Sequence, residues 1–294
     1  MDIKRRSFLK GIAGAGAGVA ATPLISGTAL ARESYKLQDE HVGMLYDNTR
    51  CVGCKSCEVA CKRANNLPVE PDAKLGIYDA PRDLSEKTMN IIKMYKDEDE
   101  TAYVKRQCMH CVDPSCVSGC PVSALIKQPN GIVTWDADAC CGCRYCEMNC
   151  PFNIPKYEYN DFYGKIVKCE MCINTNLPQH GQPACTEACP NEAVILGKTK
   201  ALLVEAKRRI KESPHLYVNQ VYGEKEGGGT SVLYLTKAAV PFSKLGLPSL
   251  PDYSQASASE SIQHTLYQGL IAPIVIYAGL AAIAFKNRSG DKEE

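Results

Sequence analysis

Apolar residues in this chain come in short bursts, and few bursts are long enough to make a helix. In GIVTWDAD the run Ile132, Val133 and Trp135 stops at Asp136, and a second run covers Val232 to Leu235. Both predict short strands, because β-branched and aromatic residues bounded by turn formers suit a pleated surface. Ser123-Ala124-Leu125-Ile126 and Glu192-Ala193-Val194-Ile195 each predict a turn leading into a strand. Lys200 to Glu212 (KALLVEAKRRIKE) has helical period instead. It puts Leu202, Leu203, Ala206 and Ile210 on an inward stripe and its lysines and arginines outward. The segment 62–106 is polar, and Lys96-Asp97-Glu98-Asp99-Glu100 within it predicts a solvated run or hairpin tip with no assigned chemistry. Gly227-Gly228-Gly229 predicts a flexible joint; no Lys-Ser/Thr follows, so it is not a phosphate loop. Pro241 to Ser259, rich in Pro and Ser, predicts an extended linker lying along a partner surface.

Longer apolar runs occupy the two ends. Arg5-Arg6-Ser7-Phe8-Leu9-Lys10 is followed by a Gly/Ala-rich stretch and by Ala29-Leu30-Ala31, the pattern of a twin-arginine export signal with an A-x-A cleavage site. Leu266 to Phe285 is a run of twenty residues without charge. At helical rise it spans about 30 Å, the thickness of a bilayer core. Lys286 and Arg288 follow it, so the tail is expected inside and the globular part outside. A buried soluble helix is the competing reading. Without the signal, basic residues fall from 34 to 30 and acidic ones from 33 to 32, so the net charge is 30 − 32 = −2. That balance leaves no large basic excess for nucleic acid or for broad attachment to anionic lipid.

The cysteines change the picture, since sixteen of the seventeen fall into four groups of four. Cys51, Cys54, Cys57 and Cys61 are spaced C-x2-C-x2-C-x3-C. So are Cys140, Cys143, Cys146 and Cys150, with Pro151 next. Cys108, Cys111, Cys116 and Cys120 precede Pro121, and Cys169, Cys172, Cys185 and Cys189 precede Pro190. Three thiolates at i, i+3 and i+6 on a tight loop reach three corners of a [4Fe–4S] cube, and the fourth corner takes a cysteine from elsewhere in the fold. Gly53 and Gly142 let the backbone curl close to the cube, and the prolines turn the chain away from it. Disulfides compete poorly: three cysteines within seven residues do not suggest three bridges, and seventeen is odd. Zinc favours two separated C-x2-C pairs, a spacing that the fourth group alone would satisfy. Cys141, beside Cys140, is expected to be a small apolar filler. CVGCKSCEVAC resembles CCGCRYCEMNC, so groups one and two predict one ferredoxin-like module and groups three and four another.

These motifs, with VKRQCMHCVDPSC, GCRYCEMNCPFNIPKYEY, EAKRRIKE, YGEKEGGGTSVLYL, VPFSKLGLP and IQHTLYQG, resemble the ferredoxin-type electron-transfer subunits of membrane oxidoreductases. Those of dimethyl sulfoxide reductase and formate dehydrogenase are relatives, and the later stretches point to hydrogenase-2. The resemblance implies an α+β fold of two fused bacterial-ferredoxin-like modules with an insertion and a C-terminal transmembrane helix. The expected spans are 1–31 for the signal, 32–199 for the double ferredoxin-like domain and 200–259 for a helix, hairpin and extended linker. The anchor follows at 260–288, with a cytoplasmic tail at 289–294. It implies four cubes: Cys51, Cys54 and Cys57 with Cys189; Cys169, Cys172 and Cys185 with Cys61; Cys108, Cys111 and Cys116 with Cys150; Cys140, Cys143 and Cys146 with Cys120. It further implies a non-catalytic relay at the periplasmic face of the inner membrane. Electrons would pass from the small and large subunits of a [NiFe] hydrogenase to an integral membrane quinone-reactive subunit. The same role beside a molybdopterin, nitrite or sulfur-compound reductase is the alternative, as is a membrane adaptor whose clusters only brace the fold. Neither a nucleophile–base set nor a haem ligand pair emerges from the scattered His41, His110, His180, His215 and His264. His110, between Cys108 and Cys111, either tunes a cluster or is structural.

Overall fold

A computed structural model describes residues 33–69, 81–160, 164–257, 259–260 and 277–281. The chain divides into two units, one of residues 34–256 and one of 1–33 with 257–294. The export signal lies outside the described residues, as does the apolar run 266–285 apart from a helical stretch at 277–281. Among the described residues no helix is long and apolar enough to cross a membrane.

Among the described residues nine strands form four small sheets. β1 (Val42–Asp47) is the middle of the largest, antiparallel to β8 (Val194–Lys198) and parallel to β9 (Val232–Leu235). The other pairs are β2 (Ile91–Lys96) with β3 (Thr101–Arg106), β4 (Leu125–Lys127) with β5 (Val133–Trp135), and β6 (Lys156–Tyr157) with β7 (Ile166–Val167). Every residue of β9 is buried, because both faces of its sheet are covered. On one face Leu45, Leu233 and Leu235 pack under the helix Thr199–Glu212 through Leu202, Ala206 and Ile210. On the other face Met44, Tyr46, Val232 and Tyr234 meet the cysteine-bearing loops. This alternation is the two-residue period of a strand.

The helix Thr199–Glu212 differs from its expected polarity at one residue. Arg209 points inward, 8 % exposed, and donates to Asp47 Oδ2 at 3.0 Å and to Glu205 Oε1 at 2.8 Å. Asp47, fully buried at the end of β1, also accepts from Tyr217 Oη at 2.9 Å and from the Thr49 hydroxyl at 2.6 Å. A buried carboxylate needs such partners, and the arginine is drawn in to supply one.

The hairpin expected within 200–259 takes a bulged form: Tyr217 bridges Lys237 and Tyr222 bridges Tyr234, both antiparallel, with the Tyr222 and Tyr234 backbones exchanging hydrogen bonds of 3.1 and 2.9 Å, while β9 joins β1 in parallel. Two further expectations are corrected. The three glycines are a packed turn, not a loose joint. Gly227, Gly228 and Gly229 all have left-handed φ, and a Cβ on Gly228 would sit 2.9 Å from Ser254 N. The Pro-rich stretch covers the chain's own core, burying Phe242, Leu245 and Leu247.

Candidate metal centres

Each cysteine motif ends in, or leads into, one short helix. α1 (Ser56–Ala64) carries Cys57 and Cys61, and α2 (Ser115–Ser118) carries Cys116 with Cys120 just beyond it. α3 (Tyr145–Met148) carries Cys146, followed by Cys150. After α4 (Asn176–His180), α5 (Ala184–Glu187) carries Cys185, followed by Cys189. The spacing C-x3-C puts two thiols about one turn apart on one face. α1 packs on α5 and α2 on α3, so each helix end delivers its two sulfurs to two different places.

The loops before the helices need unusual backbone. Gly53 and Gly142 both have φ near +69°, and Lys55 and Arg144, opening α1 and α3, have φ of 58° and 64°. His110 and Met171, each two residues after the first cysteine of its group, have φ of 46° and 51°. Non-glycine residues take this region rarely, so the matching positions show the same wrap made twice. After Cys120 and Cys189 the repeat continues: the N–H groups of Ala124 and Ala193 each donate to the cysteine Sγ at 3.2 Å.

Four thiol quartets result. Cys51, Cys54, Cys57 and Cys189 line a small cavity with Tyr46, Ile92 and Lys105. Cys120, Cys140, Cys143 and Cys146 line another with Leu125, Trp135 and Arg144. In the second quartet Cys61, Cys169, Cys172 and Cys185 are all buried. Burial first, then Cys185 and Cys172 beside it, pushes the Cys61 thiol up to about 12 against the opposing Lys105 ammonium. In the third, burial raises Cys111 well above the ordinary thiol range, with Cys150, Cys116 and Cys108 adding to the shift. Cys116 is pushed up to about 12 and Cys150 to about 11, burial leading in both.

No cysteine is in a disulfide. Among the described residues no three His, Cys, Asp or Glu side chains are arranged to hold a single ion. Clustered sulfurs whose burial disfavours thiolate fit a polynuclear cation that binds four thiolates at once and offsets part of their charge. Cys141 lines the fourth cavity but is exposed, so it is less a filler than expected. His110 is fully buried, and its Nδ1 accepts from the Val133 N–H at 3.0 Å, a structural contact to β5. Burial first, then the ammonium groups of Lys168 and Lys127, holds its pKa well below the ordinary histidine value.

The segment 62–106, given no chemistry from its sequence, supplies part of the site. It contains the β2–β3 hairpin, turned at Asp97–Glu100, and carries Ile92 and Lys105 onto the first cavity. Tyr234 Oη donates to Lys105 O at 2.6 Å and Tyr46 Oη to Tyr103 O at 2.9 Å, which fixes the hairpin on the central sheet. The sequence signal was faint: Lys105, three positions before Cys108, follows Tyr103 and Val104 but is succeeded by Arg106 and Gln107, as in any polar stretch.

Residues 50–124 and 100–199 each match a family described as a 4Fe-4S dicluster domain. The chain is 41% identical to the hydrogenase-2 operon protein HybA of Escherichia coli O157:H7, over 99% of this chain and 98% of that protein. It is 34% identical to the iron–sulfur subunit of the nitrate-inducible formate dehydrogenase of Escherichia coli K12, over 83% of this chain and 82% of the relative. Formate dehydrogenase-O of the same strain has an iron–sulfur subunit 36% identical over 74% of each chain. The chain therefore belongs to the iron–sulfur electron-transfer family of HybA and the formate dehydrogenase iron–sulfur subunits, built on two 4Fe–4S dicluster domains.

Proposed function

We propose that this chain is the electron-transfer subunit joining a periplasmic [NiFe] hydrogenase, with its small and large subunits, to an integral membrane quinone-reactive subunit. It would hold four [4Fe–4S] clusters on the four quartets described above, exported by the twin-arginine route and anchored by the run 266–285. The observation that carries the reading is the first cavity, where Cys189 meets Cys51, Cys54 and Cys57 from the far end of the domain. Full-length similarity to HybA supports the hydrogenase partner.

When bound, such clusters take up and release single electrons at potentials tuned by charge and hydrogen bonding. The chain's own residues set the conditions. Thiols converge from two helices, the Ala124 and Ala193 N–H groups contact ligand sulfur, and Met44, Tyr46 and Ile132 exclude water.

The formate dehydrogenase relatives favour one second reading, the same relay beside a molybdopterin enzyme. Purification in mild detergent, with subunit identification, metal analysis and electron paramagnetic resonance, separates the two. Four cubanes reducible by hydrogen and a nickel-containing partner are expected. Molybdenum in place of nickel would favour the second reading, clusters inert to hydrogen the brace-only adaptor. Fewer than three cubanes would end the relay account.

A further inference from the structure

Lys105 is 1 % exposed, in the middle of the protein. Its Nζ donates to Gln107 Oε1, and among the described residues it makes no salt bridge. The neighbouring carboxylate, Glu58, is already held by Lys55 at 3.2 Å and by the Ile92 N–H at 2.5 Å. A buried ammonium without a carboxylate is costly unless something else nearby is negative. What surrounds it is sulfur. Lys105 lines the first cavity with Cys57, and its charge acts on Cys61, Cys169 and Cys185 of the second quartet.

We propose that Lys105 is the shared counter-ion of the clusters on the first and second quartets, and that its positive charge raises the reduction potential of both. The inference rests on the reading that those quartets hold [4Fe–4S] clusters. A cube with four thiolates is negative, and more so when reduced. A fixed positive charge beside it favours the reduced form, and inside the protein salt screens that effect little. The other two quartets have different neighbours. Lys127 donates to Cys111 O at 2.7 Å and Lys168 acts on Cys116, both in the third quartet. The charged groups acting most strongly on Cys146 of the fourth are its own cysteines.

The test uses the full chain in its detergent-purified complex. Iron analysis and redox titration followed by paramagnetic resonance are run on wild type, Lys105→Met and Lys105→Arg. In Lys105→Met, two of the four cluster signals should move to lower potential by at least tenfold in the reduction equilibrium, about 59 mV for one electron. The other two should stay, and Lys105→Arg should keep all four near wild type. If Lys105→Met loses iron, neutral Lys105→Gln takes its place against Lys105→Arg, with the same shift expected. Unmoved potentials in a neutral variant with full iron, or a uniform shift of all four, would overturn the proposal. So would iron loss in Lys105→Arg as well, which would assign the lysine to folding. A wild type without cubanes would instead sink the underlying reading.

Discussion

At the scale of single residues, buried polar groups carry information that their sequence neighbours hide. Arg209 lies in a basic run with Lys207, Arg208 and Lys211, yet it alone of the four is buried, because Asp47 requires a donor. His41 is a second case. It is 5 % exposed, and its ring packs so closely on Gly131 that a Cβ there would lie 2.7 Å from Cγ. Burial, then the Lys127 ammonium, lowers its pKa; Glu40 opposes the shift, and Lys200 and Lys198 add to it. The folded state therefore keeps His41 neutral while the unfolded chain takes up a proton near pH 6.5. The resulting stability is present above that pH and is lost as pH falls below it. The thermal midpoint of wild type should accordingly drop more steeply between about pH 7 and 5 than that of His41→Gln. Parallel curves would show that the ring titrates alike in both states.

At the scale of elements, close backbone approach decides where strands and helices sit. Gly43 is in β1, the middle strand, where a Cβ would lie 1.9 Å from Ser231 O and 2.6 Å from Thr199 Oγ1. No side-chain rotation relieves a clash with backbone. Gly43→Ala should cost about 1–3 kcal/mol, the usual range for overpacking. In a domain of this size that lowers the thermal midpoint by several degrees; an unchanged midpoint would mean that β9 moves aside freely. The helix Thr199–Glu212 was legible because its apolar stripe repeats over a whole helix, and the expected start at Lys200 was one residue late. The β4–β5 and β8 strands were legible from runs following Cys-Pro and Gly. The β2–β3 hairpin was visible only at its acidic tip, since its strands alternate too weakly to announce which face is buried.

At the scale of the whole domain, the chain is interleaved. β1, before the first cysteine group, pairs with β8, after the fourth; β4, after the second group, pairs with β5, before the third. Modules counted along the chain therefore differ from those formed in space: groups one and four share one sheet, groups two and three another. Cys189 closes this arrangement and Cys141 stands outside it. Cys189→Ala should lose the iron of one cluster and lower thermal stability, because the site's metal also ties α5 and β8 to α1. Cys141→Ser should retain the full iron content. Iron quantification with thermal melts checks both, and full iron in Cys189→Ala would remove that residue from the ligand set.

By itself, the sequence determined the chemistry. Cysteines three and four apart define local wraps and helix turns, and such short-range geometry depends on few tertiary contacts. The tertiary structure decided what lies between the wraps. That a lysine from an unremarkable hairpin lines the first quartet's cavity, and that an arginine turns inward to Asp47, depends on contacts between segments more than forty residues apart. Burial and charge are properties of the folded interior, and a linear spacing rule does not encode them.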